Sequence, residues 1–344
     1  MPRPGQRHPL SDESLPDRIA IGVLIRTFPP ELVDAAVDCT GRTQLRSRLL
    51  PAQVVVYFVL AMCLFNQEGY ESVTRRLTDG LEWARRGRTQ PGEPTTAALS
   101  RARARLGPEP LKALFARACR LSTGPRYRGR RLVSLDSTTF DLPVTDSNLE
   151  HFGRPGNAGR NAYPQARVGV LAECGTNAVF AAETAPLRTP EKTVRRRLFS
   201  RLGPGMLLLA GRRPPDFDLW CPASATGADL LWRARHRTPL PVVERFDDGS
   251  YSSELITKCG DPVRVRVVET AAGRLVTTIL RPDQAPAGEL ADLHDGLRKT
   301  ENALEEVEAL QGPDFVLRSR QPAGVEQELY GFLLVHHALR AVRT

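Results

Sequence analysis

The sequence predicts an α/β core that carries a β-strand insertion, preceded by an all-α N-terminal domain. Three observations support this fold class: helical periodicity in the first third of the chain, short apolar runs separated by turn residues after Gly129, and alternating apolar and charged residues between 229 and about 282. With 344 residues the chain exceeds what one hydrophobic core usually supports. We therefore expect a principal domain with smaller units beside it.

The N-terminal third lacks a convincing strand pattern. Residues 1–13 are polar and contain Pro2, Pro4 and Pro9, which predicts a disordered tail. From 14 to 122 apolar residues recur at helical spacing, and Pro51 is a favourable first-turn residue for one of the helices. These residues predict a helical N-terminal domain over 14–122.

Three arginines lie close together on one predicted helix of this domain. After the loop 86–94, Thr95 or Thr96 can cap a helix that reads AALSRARARLG and carries Arg101, Arg103 and Arg105. Two short helices around a Gly-Pro turn, one of them rich in arginine, are typical of a helix-turn-helix DNA-binding module. The alternative that these residues leave open is a helical bundle with a solvated basic face.

Residues 123–344 have the mixed pattern of an α/β domain. A short apolar run ends in Asp136, and two further runs, Arg167–Glu173 and Val179–Glu183, are joined by turn residues and predict a hairpin. A basic helix, TVRRRLFSRL, then precedes the apolar run Met206–Ala210, which has the character of a buried strand. A meander, a helix and another core strand form an order that is compatible with a ribonuclease-H-like fold but not unique to it.

The rest of this domain is predicted to contain a β-rich insertion at about 229–282 and then mostly helices. Valine and arginine alternate from Val263 to Val267, which predicts a hairpin with one apolar and one basic face. A helix is predicted over Glu289–Leu310, a short strand over Phe315–Arg318, and a closing helix from about Gly324 to Val342.

Two carboxylates stand out in these elements. Asp136 ends a predicted buried strand, a common place for a metal ligand, although loops also begin with aspartate for turn reasons. Glu301 lies on the apolar side of its helix, four residues after Leu297 and three before Leu304. A carboxylate on an inward face is unfavourable unless it is paired or binds a cation. The alternative is that Glu301 lies at the edge of the apolar stripe with its carboxylate in water.

Charge and composition restrict the class of partner. Forty-eight basic against 39 acidic side chains leave a net charge of +9, which is typical of proteins that bind nucleic acid; an arginine-rich composition imposed by a GC-rich genome is the alternative. The six cysteines are scattered singly, without metal-ligand spacing, which favours reduced thiols in the cytoplasm. The longest apolar stretch, Val54–Phe65, is too short to cross a bilayer, so no membrane association is expected.

Four segments, in this order along the chain, resemble bacterial insertion-sequence transposases of the Asp-Asp-Glu (DDE) type. They read LVSLDSTTFDLPVTDSNLEHFGRPG, NAYPQARVGVLAECGTNAVFAA, MLLLAGRRPPDFDLW and ELADLHDGLRKTENALEEVEAL. The group has a β-rich insertion before its catalytic glutamate and a Tyr-Arg-Glu-Lys signature, and the resemblance covers the chain from about Asp17 to its end. It implies a ribonuclease-H-like catalytic domain over 123–344 that hydrolyses phosphodiesters and transfers strands at transposon ends with two Mg²⁺ or Mn²⁺ ions.

The resemblance also implies the partners. They are double-stranded DNA, both as terminal inverted repeats and as target, and a second copy of the chain, since members of the group act as homodimers on paired ends. The protein would then be associated with the nucleoid in the cytoplasm. Arg101, Arg103, Arg105 and Arg212 are the residues assigned to DNA contacts.

On the family pattern the catalytic site is incomplete. Asp136 corresponds to the first aspartate and Glu301 to the glutamate, both as metal ligands, but Gly211 stands where the second aspartate belongs. The signature Tyr-x2-Arg-x3-Glu-x6-Lys, matched on Glu301, reads His294, Leu297 and Glu308 at its other positions. The chain therefore resembles a degenerate copy with weakened metal binding and impaired catalysis. A non-catalytic DNA-binding relic, acting as a repressor or competitor at transposon ends, is the alternative.

Overall fold

The computed structural model of the protein describes most of the chain. The described residues are 14–43, 50–81, 94–120, 124–156, 162–210, 217–257, 260, 262–299, 303–312 and 314–343. The predicted tail 1–13 and three of the predicted site residues, Gly211, Arg212 and Glu301, lie outside these ranges.

The chain divides into two compact units. Unit 1 comprises the described residues up to Ala118 together with those from Ala323 onward, and unit 2 comprises those from Cys119 to Pro322. The secondary structure described in unit 1 is entirely helical, as predicted. Its helices are α1 (Ser14–Thr27), α2 (Pro30–Asp38), α3 (Ala52–Leu64), α4 (Tyr70–Leu81), α5 (Thr96–Leu106), α6 (Glu109–Ala118) and, last in the chain, α12 (Pro322–Arg343). None of the helices in the described ranges combines the length and apolar character needed to cross a membrane.

Helix α12 packs with the N-terminal helices, although the sequence placed it in the domain 123–344. Gly331 on α12 lies so close to α3 that an added Cβ would be 2.6 Å from the Cys63 Sγ and 3.3 Å from the Val59 Cγ1. The rings of Tyr330 and Phe115 also meet edge to face, with 5.6 Å between their centroids. Helical periodicity predicts that a helix has a buried face but not which domain covers it.

Unit 2 is built on one ten-stranded sheet. The strands are β1 (Arg126–Tyr127), β2 (Arg130–Asp141), β3 (Gln165–Glu173), β4 (Val179–Pro186), β5 (Met206–Ala210), β6 (Asp229–Arg233), β7 (Glu244–Arg245), β8 (Tyr251–Leu255), β9 (Val263–Thr270) and β10 (Gly273–Thr277). The helices are α7 (Asp146–Phe152), α8 (Glu191–Leu198), α9 (Trp220–Ser224), α10 (Ala287–Lys299) and α11 (Ala303–Gln311). The strand order is β4-β3-β2-β5-β6-β10-β9-β8-β7, with β1 paired to β2. Unit 2 is a mixed α/β unit, which confirms the predicted fold class at that level.

The type of pairing changes twice along this order, from antiparallel to parallel at β2 and back to antiparallel at β6. Strands β2, β3 and β4 form an antiparallel meander, β5 pairs parallel to β2, and β6 pairs parallel to β5. Strand β10 then pairs antiparallel to β6. The predicted insertion began at 229, but β6 at that position continues the parallel part of the sheet. The strands that extend the sheet beyond it are β7 to β10.

Strand β2 is longer than predicted, and Asp136 lies near its middle rather than at its end. Asp136 is paired with Val170, and the pairing with β3 continues to Asp141 opposite Gln165. The residues after Asp136 include two threonines, which fit a half-buried strand surface well. The predicted end at Asp136 was therefore wrong because the partner strand extends the pairing past the apolar run.

The predicted C-terminal helix and strand differ from the elements that the structure describes. The helix expected over Glu289–Leu310 is described as α10 and α11, and residues 300–302, which include Glu301, lie outside the described residues. The strand expected over Phe315–Arg318 is a single bridge between Asp141 and Val316.

Arg266 on β9 is buried, which corrects the prediction of a basic face on this hairpin. Its Nε donates to the Ser250 Oγ at 2.8 Å, its Nη1 to the Ala285 carbonyl at 2.6 Å, and its Nη2 to the Asp248 carboxylate. The same Asp248 carboxylate accepts a hydrogen bond of 2.9 Å from the backbone N–H of Ala287, the first residue of α10. The pair thus attaches the inserted strands to the start of α10.

Candidate functional site

Asp136 and helix α8 lie on opposite faces of the sheet. Successive side chains of a strand point to opposite faces, so Asp136 and Thr138 share one face while Ser137 points to the other. The Ser137 hydroxyl donates a hydrogen bond to Glu191 on α8. The Asp136 side chain is half-buried, and its Oδ1 accepts a hydrogen bond of 3.3 Å from the backbone N–H of Ser137.

Helix α11 packs on the face that carries Asp136. The Thr138 Oγ1 donates to the Glu308 Oε1 at 2.7 Å, and the Asn177 Nδ2, in the turn between β3 and β4, donates to the Glu306 Oε1 at 2.6 Å. The helix that begins two residues after Glu301 is therefore held against the strand that carries Asp136. Sequence reasoning treated Glu308 only as a replaced lysine and missed this contact, because helical spacing does not reveal which strand a helix meets.

The carboxyl end of β5 lies beside the same part of β2. Ser134 is paired with Leu209, and β5 ends one residue later at Ala210. Because the two strands run in the same direction, this end is adjacent to the segment of β2 that leads into Asp136. Gly211 is the next residue in the chain after Ala210.

Asp218 does not take the place of the second aspartate. It follows Gly211 closely in the sequence, but its Oδ2 lies 4.0 Å from the Nζ of Lys192 on α8. Since α8 covers the face opposite Asp136, the Asp218 carboxylate is directed away from the candidate site.

The described residues form no metal site by themselves. Divalent cations such as Mg²⁺ require several oxygen ligands, and the described part of the chain contains no group of three or more His, Cys, Asp or Glu residues placed to bind one. On the Asp136 face it contributes the carboxylates of Asp136 and Glu308, the second of which accepts a hydrogen bond from Thr138. Of the predicted pair, Asp136 lies within the described residues and Glu301 lies outside them.

The predicted arginine-bearing helix forms as expected. The Thr95 Oγ1 caps α5 by accepting a hydrogen bond of 3.2 Å from the Ala98 N–H, and the helix ends at Leu106 before Gly107. Arg101 and Arg105 are exposed on its surface. The two helices around the Gly-Pro turn, α5 and α6, are therefore confirmed as elements, and two of the three arginines of α5 are exposed.

Arg103 lies inside unit 1, which is inconsistent with the predicted DNA contact. It is only 6% exposed, and its Nε donates to the Gln327 Oε1 at 3.1 Å and its Nη2 to the Gly324 carbonyl at 3.2 Å. Gln327 returns a hydrogen bond of 2.7 Å to the Arg103 carbonyl. Residues two apart on a helix do not share a face, whereas Arg101 and Arg105 are four apart. The two-residue spacing of Arg103 from Arg101 and from Arg105 was the signal in the sequence that it points to a different side of the helix.

Arg103→Ala is expected to lower the free energy of unfolding by about 2 kcal/mol, because it leaves the polar groups of Gln327 and Gly324 buried without their donor. The matched variant Arg101→Ala removes an exposed arginine from the same helix and should change stability by less than about 0.5 kcal/mol. Urea denaturation followed by circular dichroism measures both. Equal effects of the two substitutions would contradict the structural role assigned to Arg103.

Comparison with known proteins finds similarity to transposases. Residues 18–116, which span most of α1 to α6, match the family model described as Insertion element 4 transposase N-terminal. The transposase InsG for insertion sequence element IS4, from Escherichia coli (strain K12), is 26% identical over 334 residues, which cover 90% of this chain and 74% of InsG. The transposase candidate InsZ from the same organism is 23% identical over 212 residues, 60% of this chain and 68% of InsZ.

One solved structure is also similar over most of the chain. A piggyBac transposase synaptic complex with hairpin DNA aligns with a TM-score of 0.43 and 10% identity, covering 93% of this chain and 74% of that one. The chain is therefore similar to an insertion-element transposase family over residues 18–116 and to the transposase InsG over most of its length. The chain is a relative of the IS4-type transposases, which confirms the resemblance carried by its four motifs.

Proposed function

We propose that the chain is a DNA transposase of the insertion-sequence type by descent, and that Gly211 leaves its two-metal site incomplete and its catalysis impaired. The observation that carries the proposal is the arrangement around Asp136: it lies beside the carboxyl end of β5, from which Gly211 follows, and it faces α11, which begins two residues after Glu301. These are the three positions at which the family carries its carboxylates.

A ribonuclease-H-like core is part of this proposal. Five neighbouring strands, β4-β3-β2-β5-β6, combine an antiparallel meander with two strands parallel to β2. This arrangement supports the order expected from the sequence, a meander followed by a helix and further core strands. The long strand β2 then carries the first aspartate, and the strands β7 to β10 form the insertion before Glu301.

The chemistry explains why a single glycine matters. Two-metal phosphoryl transfer uses ions about 4 Å apart that activate the attacking oxygen and stabilise the leaving one. Asp136 and Glu301 each offer a carboxylate for Mg²⁺ or Mn²⁺, whereas glycine offers no side-chain ligand. Magnesium is held by few protein carboxylates, so losing one is expected to remove at least one ion.

A non-catalytic DNA-binding role is the second candidate. Glu308 supports it, because this carboxylate stands where the family has a lysine and contacts β2 two residues from Asp136. A negative charge at that place repels a phosphate near Asp136, which disfavours cleavage there. The exposed arginines Arg101 and Arg105 in the N-terminal unit remain available for DNA. A relic of this kind would bind transposon ends, as a homodimer if it keeps the family's assembly, and would compete with an active transposase.

Cleavage and binding assays on one labelled duplex separate the two candidates. The duplex carries the genomic segments that flank the gene, and the full chain is compared with Asp136→Asn, which keeps the shape of the side chain but weakens it as a metal ligand. We expect the full chain to bind the duplex with an affinity that falls steeply as salt is added. With Mg²⁺ or Mn²⁺ we expect it to nick the duplex no more than Asp136→Asn does. Metal-dependent nicking that Asp136→Asn abolishes would disprove the impairment. Failure to bind DNA at moderate salt would remove both candidates.

A further inference from the structure

The outer face of α8 and the turn that follows it carry a group of exposed arginines. Arg196 and Arg197 on α8, and Arg201 in the turn that follows it, are all exposed. No carboxylate in the described part of the chain forms an ion pair with any of the three. We call these three residues the α8 arginine stripe.

Many other arginines of unit 2 are paired with carboxylates. Arg128 pairs with Glu289 at 2.8 Å, Arg264 with Glu244 at 3.3 Å, and on α8 itself Arg195 with Glu191 at 2.7 Å. The pair within α8 faces the sheet, where Arg195 is only 8% exposed and also contacts Ser137. The acidic residue of the helix, Glu191, is thus used on the inner side, and on the outer side Lys192 pairs with Asp218 while Arg196 and Arg197 form no ion pair with a described carboxylate.

The α8 arginine stripe is held on a rigid support. An added Cβ at Gly169 of β3 would lie 2.8 Å from the Val194 Cγ1 and 3.3 Å from the Leu198 Cδ1, so α8 packs closely on the sheet. Both apolar side chains are buried. A fixed helix presents its arginines without first ordering the backbone, which lowers the entropic cost of binding a partner.

The spacing of the stripe suits a phosphodiester backbone. With an α-helical rise of about 1.5 Å per residue to Leu198 and a 3-10 rise of about 2.0 Å beyond it, Arg196 and Arg201 lie about 9 Å apart along the axis. One DNA strand carries a phosphate about every 3.4 Å of duplex axis, so the stripe spans about two to three phosphates. Guanidinium groups also bind phosphate with two parallel hydrogen bonds. In addition, residues 187–205 expose no large apolar side chain that would suit a protein or lipid partner.

We propose that the α8 arginine stripe binds the backbone of double-stranded DNA, on the face of the sheet opposite Asp136. This inference rests on the proposed function, which makes duplex DNA the partner, and adds a contact surface separate from the catalytic face. It contributes affinity without sequence specificity, because phosphates carry no base information.

The test measures DNA affinity as a function of salt. The variant Arg196→Gln/Arg197→Gln/Arg201→Gln removes the stripe, and Arg235→Gln/Arg237→Gln/Arg245→Gln removes three other exposed arginines of the same unit as a charge-matched control. Fluorescence anisotropy with a labelled duplex of arbitrary sequence gives the slope of log K against log salt. Each phosphate contact contributes about 0.9 to that slope, so the stripe variant should lose about 1.8 to 2.7 while the control keeps the wild-type slope.

Each outcome decides the inference. If the wild-type chain binds DNA but the stripe variant keeps its slope, or the control loses as much, the inference fails and the proposed function stands. If the wild-type chain does not bind duplex DNA, both fail. Stripe-dependent binding to vesicles of phosphatidylserine and phosphatidylcholine, without a change in DNA affinity, would also overturn the inference. Matching circular dichroism spectra and urea midpoints establish that the variants are folded.

Discussion

Replacing Gly211 with aspartate is expected to raise the affinity of the chain for Mn²⁺ by a factor of about 10 to 100. Removing a residue that only hydrogen-bonds to a metal ligand typically lowers metal affinity by this factor. A residue that binds the ion directly should contribute at least as much. The aspartate would follow β5, whose end lies beside the segment of β2 that leads into Asp136. Isothermal titration calorimetry with Mn²⁺ measures the gain.

Two further variants make this prediction specific to the proposed site. Gly211→Asn has nearly the same shape without the charge and should gain much less affinity. The double variant Gly211→Asp/Asp136→Ala should lose the gain, because both carboxylates are needed for the same ion. A gain that survives removal of Asp136 would mean that the ion binds elsewhere, and the assignment of Gly211 to the second aspartate position would be wrong.

Restored metal binding need not restore cleavage. On the resemblance, His294, Leu297 and Glu308 stand in place of the signature's Tyr, Arg and Lys, and the structure adds detail at two of these positions. His294 is only 1% exposed, and Glu308 is engaged by Thr138. If Gly211→Asp binds metal but does not cut, Glu308→Lys in that background tests whether the carboxylate beside Thr138 is the next obstacle.

Local signals in the sequence predicted most of the secondary structure. The cap at Thr95 and the turn residues of the hairpin after Glu173 each act within a few residues. Such interactions depend on the chain nearby, so they can be read before the fold is known. The order of the elements then gave the α/β class of unit 2.

The errors concern contacts between segments far apart in the chain. Arg103 was grouped with exposed arginines because its partner, Gln327, lies 224 residues away. Arg266 was assigned to a basic face because its partners, Asp248 and the Ala285 carbonyl, belong to other loops. In both cases an arginine in a polar-looking pattern is buried by hydrogen bonds that no periodicity encodes. The Thr138–Glu308 contact was missed for the same reason.

Asp248→Ala is expected to lower the free energy of unfolding by about 3 kcal/mol at neutral pH, because removing one partner leaves a buried charge without compensation. Arg266 is 0% exposed, so its guanidinium cannot turn to water when the carboxylate is lost. Urea denaturation followed by the fluorescence of the buried Trp220 and Trp232 measures the change. Asp283→Ala is the control: it removes a pair with Arg281 whose side chains are 61% and 70% exposed, and such pairs contribute between 0 and about 1 kcal/mol.

The pH dependence of the Asp248 effect follows from the direction of its pKa shift. Burial raises the pKa of the Asp248 carboxyl, but hydrogen bonds from Ser250 and Ala287 and the charge of Arg266 outweigh it and hold the pKa below its usual value. A carboxyl whose pKa is lowered by folding stabilises the protein fully above its unfolded pKa of about 3.9 and loses that contribution as the pH falls through the folded value. The difference between wild type and Asp248→Ala should therefore be constant near neutral pH and narrow only below about pH 4.

A second substitution distinguishes loss of the ion pair from loss of packing. Arg266→Met in the Asp248→Ala background removes the uncompensated charge and replaces it with an apolar chain of similar length. Replacing both members of a buried pair by apolar groups is often close to neutral, so the double variant should recover much of the lost stability. If it is less stable than Asp248→Ala alone, the guanidinium stabilises unit 2 chiefly through its bonds to Ser250 and Ala285, which join β9 to the segment before α10.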